Sequence, residues 1–284
     1  MSKIAIVTDS TAYLPVEYLQ KYNITVVPLA VIWGNQTYED GVNIQPDEFY
    51  TRLSTSKILP TTSQATIYNM HKAFTELLDQ GYDVLGAFIS SKLSGTMQSA
   101  MQAREQLEKG KEKIELFDSL TTAMALGFQV LAAARAAQEG ASMSDCKNQI
   151  EKARESTGVY FVVDTLEFLH RGGRIGGAKR LMGTALNLKP ILSVRDGKVD
   201  SVESIRTKAK AISRLIEIIG EDTKGKSPIR IATLHANAAE AGRDLLDNAS
   251  KILNPVETIF TSVSPAIGTH TGPGTVGLAY MAGM

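Results

Sequence analysis

Three hydroxyl-rich segments and one histidine are where this sequence could do chemistry. Ser264-Pro-Ala-Ile-Gly-Thr-His-Thr-Gly-Pro-Gly274 sets His270 among hydroxyls and glycines, with little to pack and many groups able to hold a ligand. Gly268, Gly272 and Gly274 suit backbone geometries closed to other residues, so the stretch reads as a polar binding loop. Two segments of like composition lie far upstream, Pro60-Thr-Thr-Ser-Gln64 and Ser90-Ser-Lys-Leu-Ser-Gly-Thr96. The second follows a strand pattern and opens a helical one, which turns free backbone N–H groups and the positive end of a helix dipole toward an anion. A serine N-cap explains one of its hydroxyls but not the run Ser91, Ser94, Thr96. Thr61-Thr62-Ser63 precedes a helix expected from about Thr66 and is read with the same geometry, although hydroxyls there are commonplace caps. Two chemistries fit these groups. They could hold an anionic head group, or Ser94 could be a nucleophile with His270 as base and Asp9 as orienting acid. The hydrolase lacks a Gly-x-Ser-x-Gly elbow.

Other polar groups are less pointed. Asp9-Ser10-Thr11 ends the first strand, where ligands of open parallel sheets sit, and Asp9 could equally cap the next helix. His71, His170 and His235 have no second histidine or carboxylate at metal-ligand spacing, so no metal site is expected. Arg171-Gly-Gly-Arg-Ile175, with Lys179 and Arg180, concentrates four cations within ten residues. It is either a solvated loop or a docking site for an anion or a partner. It lacks the spacing and terminal Lys-Ser/Thr of a P-loop, and the chain has no clear set of magnesium carboxylates, which argues against phosphoryl transfer by this chain itself.

The elements that must position these groups alternate. Strand patterns at Lys3–Thr8, Ile24–Trp33, Tyr82–Ser90 and Lys113–Asp118 are separated by helical ones at Pro15–Tyr22, Pro46–Ser54, Ile67–Gln80 and Thr96–Lys109. Thr122–Glu139 and Ser144–Ser156 follow as helices. This predicts an α/β fold whose first part is a mainly parallel sheet flanked by helices. Ile24–Trp33 is nearly continuous apolar, as for a strand buried on both faces, and Pro28 places it at an edge or a bulge. From Tyr160 the texture changes: a strand to Val163, a helical turn over Thr165–His170, a helix over Lys179–Leu186, and a hairpin through Asp196-Gly197. Thr207–Gly220 and Ala238–Leu253 are helical, Ile229–His235 and Val256–Thr261 are strands, and Val276–Met281 is a closing strand. Two α/β domains are expected, 1–159 with the parallel sheet and 160–284 with a mixed sheet.

Composition bounds the setting. Lys+Arg and Asp+Glu are both 30, so no basic field draws the chain to nucleic acid. With 43% apolar and 21% charged residues it reads as an ordinary globular protein. No signal-peptide pattern opens the sequence, and Ala123–Ala134 is too short to span a bilayer. Cys146 is alone, which excludes an internal disulfide and a multi-cysteine zinc site. A cytoplasmic, bacterial-style protein is expected.

Taken together, Val7-Thr-Asp-Ser-Thr11, Pro60-Thr-Thr-Ser-Gln64, Leu93-Ser-Gly-Thr96, Leu169-His-Arg-Gly-Gly-Arg-Ile175, Lys189-Pro-Ile-Leu192 and Gly268-Thr-His-Thr-Gly-Pro-Gly274 resemble the DegV family, bacterial fatty-acid-binding proteins that serve as carrier subunits of fatty-acid kinase. Each is weak alone; six in order along the whole chain are specific. The resemblance implies a long-chain fatty acid such as palmitate in a buried tunnel, with no cofactor and no catalysis by the chain alone. Thr62 and Ser94 look like the carboxylate ligands, with Ser63, Gly95 and His270 close by and His270 in the network behind the carboxylate. The Arg171–Arg174 loop looks like the surface presented to the kinase subunit, so its loss should spare lipid binding. Stable membrane insertion is not implied; transient contact with a membrane surface is compatible with a lipid carrier. The family's Pro-Ser after Thr62-Ser63-Gln64 is replaced by Ala65-Thr66, and Met97 stands where an aromatic is common, which bears on tunnel width. The physics agrees: at about 0.8 kcal/mol per methylene a C16 chain gains on the order of 10 kcal/mol gross, while its carboxylate needs several donors once buried. Walls are available in Ile24–Trp33, Ala123–Ala134 and Leu181–Leu192.

Overall fold

A computed structural model describes residues 3–183 and 188–284. The chain opens with β1 (Lys3–Asp9), α1 (Val16–Lys21), β2 (Thr25–Val27), β3 (Ala30–Trp33), β4 (Gln36–Glu39), α2 (Pro46–Thr55) and β5 (Thr61–Ser63). Then come α3 (Ile67–Asp79), β6 (Tyr82–Phe88), α4 (Thr96–Glu105), β7 (Ile114–Asp118), α5 (Ala123–Gln138) and α6 (Met143–Ser156). β8 (Thr157–Val162), α7 (Glu167–Arg171), β9 (Lys189–Arg195), β10 (Lys198–Ile205) and α8 (Lys208–Asp222) follow. β11 (Ile229–His235), α9 (Ala239–Leu253), β12 (Glu257–Ser262), α10 (Pro265–Thr271) and β13 (Val276–Ala282) complete the order.

The first sheet runs β2-β1-β6-β7 and is parallel throughout. The second runs β10-β9-β8-β13-β11-β12 and is mixed, only the β11–β12 pair being parallel. The α/β class and both sheet types are those expected. The dividing line at residue 160 falls inside β8. The closing strand β13 lies in the interior of its sheet, between β8 and β11.

α5 packs on β1 and β6 of the parallel sheet and on β8, β11 and β13 of the mixed one. That double burial explains a helix apolar nearly all round, and its alanines and Gly127 let the chain approach closely: a Cβ at Gly127 would meet the Ala12 carbonyl oxygen at 2.6 Å.

Ile24–Trp33 corrects the sequence reading. It is two strands in different sheets, broken at Pro28-Leu29. β2 is an edge of the parallel sheet, with Pro28 just past its end, and β3 is the middle of a third, antiparallel sheet β4-β3-β5. One face of this small sheet is open, since Ile32 is exposed while Val31 and Trp33 are buried. The helix expected over Lys179–Leu186 is a short 3-10 segment over Gly176–Leu181; residues 184–186 of that expectation lie outside the described residues. The Asp196-Gly197 hairpin has positive φ at both turn residues, 47° and 78°. Its carbonyls accept from Ser90 Oγ and Lys92 Nζ, both at 2.8 Å, which docks the hairpin on the Ser90–Thr96 loop.

Candidate functional site

A cavity opens between the parallel sheet, the mixed sheet and α10. Val159, Phe161, Val194, Leu234 and Ile267 give it apolar walls, and Thr62, Ser63, Gln64, Ser94, Arg174 and His270 stand at its polar part. The structure thus brings Thr62, Ser63, Ser94 and His270, far apart in sequence, to one cavity. Of the three apolar stretches expected as walls, the first contributes Leu29 and the second Ala123; the described residues of the third contribute none, and Met97 does not line the cavity either. The walls come instead from strands of the mixed sheet.

Thr62 does not sit at a helix N-terminus as expected. It lies in β5, paired with Val31 of β3, while Thr66 caps α3 through Asn69 N at 3.1 Å. Nor is the His270 segment a loop. Residues Pro265–Thr271 form α10, with proline in its first turn and positive φ beginning only at Gly272. α10 packs on α2, α7, β3 and β5. Its first turn is tied down by buried Asp40, which accepts from Ala266 N at 3.1 Å and Ser10 Oγ at 2.7 Å. Helix packing therefore points His270 Nε2 at Thr62 Oγ1, 2.7 Å away.

His270 Nδ1 is buried with no hydrogen-bond partner among the described residues. A Cβ on Gly172 would overlap it, so only glycine admits the ring. Burial, and secondarily the Arg174 charge, lower the His270 pKa from 6.5 to about 4. The ring is therefore neutral at pH 7. With its proton on Nε2, it donates to Thr62 Oγ1 and frees the Thr62 hydroxyl to donate to an anion. Gly172→Ala should dislodge the ring, lowering ligand affinity by roughly tenfold and stability by about 1–3 kcal/mol. Isothermal titration and urea unfolding check both, and an unchanged affinity would mean that the ring does not support the site.

The lowered pKa also has a sign. A histidine that is neutral when folded and charged when unfolded contributes stability above its unfolded pKa of about 6.5, and loses that contribution as pH falls toward 4. The stability difference between wild type and His270→Gln should shrink by about 2–3 kcal/mol from pH 7 to pH 4, the ring's partial exposure lowering the full value. Asp40, pushed up to about 6 by burial, runs the other way, its contribution present in acid and lost as pH rises through 6. The readout is therefore the difference between the two proteins in urea unfolding, and a flat difference contradicts the assignment.

Ser94 lines the same cavity. Ser94 N bonds to Ser90 O at 3.0 Å, and Ser94 Oγ meets Thr96 Oγ1 at 2.9 Å, just before α4. A Cβ on Gly95 would meet the Gln64 side chain at 2.8 Å, so Gly95 lets that chain pack against the backbone there. Gln64, quoted only as part of a motif, is a cavity residue. The triad Ser94–His270–Asp9 is not assembled. Ser94 pairs with Thr96, His270 with Thr62, and buried Asp9 accepts from Thr11 N, Thr11 Oγ1 and Ile89 N at 2.9, 2.6 and 2.7 Å. Asp9 is a structural tie and the N-cap of the Ser10–Ala12 turn.

The two arginines part company. Arg171 ends α7, exposed, and pairs with Glu167 at 2.6 Å. Arg174 is half-buried, donating from Nε to Leu93 O at 3.0 Å and from Nη1 to Gly172 O at 2.7 Å. Arg174 lines the cavity, whereas Arg171 does not. Thr62, Arg174 and His270 also line an outer cleft with Pro60, Phe168 and Arg171. The three residues thus form a polar partition, apolar cavity on one side and cationic cleft on the other.

The DegV family model, described as a family of uncharacterised proteins, matches residues 3–283. A DegV domain-containing protein of Clostridium perfringens is 37% identical over 98% of both chains. A Thermus thermophilus DegV family protein whose structure is described for its fatty acid binding superposes with a TM-score of 0.90 at 33% identity, over 99% of both chains. Bacillus subtilis DegV, described as a fatty acid binding protein, superposes with a TM-score of 0.90 at 35% identity, covering 99% of this chain and all of that one.

Proposed function

This chain belongs to the DegV family, and from that premise we propose that it binds a long-chain fatty acid, palmitate or a near relative, as a carrier. The observation that carries the reading is the Thr62–His270 pair and Ser94 at the polar part of one apolar cavity. The carboxylate accepts from Thr62 and Ser94, with Ser63 and Gly95 beside it and Arg174 bringing a full positive charge to the same cavity. The apolar walls take the chain, each buried methylene adding about 0.8 kcal/mol. Arg174 is part of this machinery, held by two backbone carbonyls so that its charge stays at the partition.

A carrier that buries its cargo must expose the head group to whatever acts on it. The outer cleft supports a route from solvent to the far side of Thr62 and His270, past Arg171. We assign the chemistry to a kinase subunit that reaches the carboxylate there, this chain being the non-enzymatic partner in the cytoplasm. Organic extraction of denatured protein followed by mass spectrometry tests the binding. A stoichiometric fatty acid is expected, and its absence even after loading with palmitate would sink the reading. The esterase alternative finds no support, since no hydrogen bond joins Ser94, His270 and Asp9 among the described residues.

A further inference from the structure

The head-group residues leave one polar feature of the cavity unused. Thr122 and Ala123, at the N-terminus of the 16-residue α5, line the same wall. Thr66, Ser142 and Thr207 each turn a hydroxyl onto the first turn of the helix they precede. Thr122 makes no such cap bond. It is only 8% exposed, and its Oγ1 is buried with no hydrogen-bond partner among the described residues. The first N–H groups of a helix also have no partner within it, and α5 has no acidic side chain in its first turn. Hydroxyl and helix end therefore form a donor-rich spot among apolar walls such as Ile89, Val159 and Leu234. It is distinct from Ser94, to whose loop it is joined through Ser90 N and Thr121 O at 2.8 Å.

A plain hydrocarbon chain passing this spot leaves the buried Thr122 hydroxyl unpaired, as it is without ligand. An oxygen on the chain would supply the missing partner. We propose that Thr122 and the N-terminus of α5 are a second polar subsite, for a hydroxyl carried on the acyl chain, so that the preferred ligand is a hydroxylated long-chain fatty acid. This rests on the fatty-acid reading above and narrows its ligand class.

The test is titration of delipidated protein with stearate and with monohydroxystearates bearing the hydroxyl at successive positions. One positional isomer should bind about tenfold tighter than stearate, the worth of one restored hydrogen bond to a buried group. Thr122→Val, which keeps the side-chain shape, should abolish that advantage and leave stearate itself within about twofold, because the hydroxyl is out of water whether or not stearate is bound. Thr122→Ser should keep the preference, which guards against a fold effect of the valine. Stearate binding with no isomer tighter, or an advantage that survives in Thr122→Val, overturns the subsite and leaves the carrier reading standing. Binding of neither stearate nor any hydroxy acid overturns both.

Discussion

Thr62→Val combined with Ser94→Ala is expected to weaken palmitate binding by at least about 100-fold, or roughly 3 kcal/mol. Valine suits β5, so the pairing with Val31 survives. The change instead removes the hydroxyl that relays His270 Nε2 to the ligand. Alanine at position 94 removes the second donor and leaves Thr96 its bond toward Ala65 N. The ligand then keeps its methylenes but carries carboxylate oxygens with too few donors, and hydrogen bonds to a charged group are worth about 1.5–3 kcal/mol each. Titration of delipidated protein measures the loss, and circular dichroism checks that the fold is intact. An affinity within threefold of wild type would remove Thr62 and Ser94 from the head-group site.

What could be seen in advance follows from how local each feature is. α3, α8 and α9 show their buried stripes in the sequence itself, and the Asp196-Gly197 turn is fixed by two residues. β5 has no such signature: three hydroxyl residues become a strand because β3 is there to pair with them. The same pairing explains why Thr61–Ser63 resembled a helix cap, since Thr66 does cap α3 a few residues later. α10 is built from poor helix formers, and tertiary packing with the Asp40–Ala266 bond decides its state. Ser264-Pro265 was the readable sign, an N-cap followed by proline in the first turn. His270 was found as a polar residue among hydroxyls, yet its depressed pKa arises from burial by segments far away in the chain. In the sequence Arg171-Gly-Gly-Arg174 looks uniform, and nothing in it tells the two arginines apart. Only the turn after α7, returning Arg174 N to Leu169 O at 3.0 Å, sends one arginine outward and the other to the partition.

That separation makes the arginines the second large expectation. Arg174→Gln should lower palmitate affinity by roughly 30-fold, because a charge-assisted contribution of about 2 kcal/mol is lost at a carboxylate that is out of water. Arg171→Ala should leave affinity within about twofold, its exposed pair with Glu167 being worth little. A partner-dependent phosphorylation assay should reverse the order of interest: Arg171→Ala impairs it with lipid still bound, since its guanidinium faces the cleft by which a second protein would reach the head group. His270 offers a check that a merely structural arginine would not pass. Arg174 adds to the depression of its pKa, so Arg174→Gln should move the imidazole titration, followed by NMR, upward from about 4 toward the ordinary range. A titration that stays put while affinity falls would mean that Arg174 acts only by bracing Leu93 and Gly172. Equal loss of lipid binding in both variants would make the whole segment one structural unit, and the partition between cavity and cleft would lose its functional meaning.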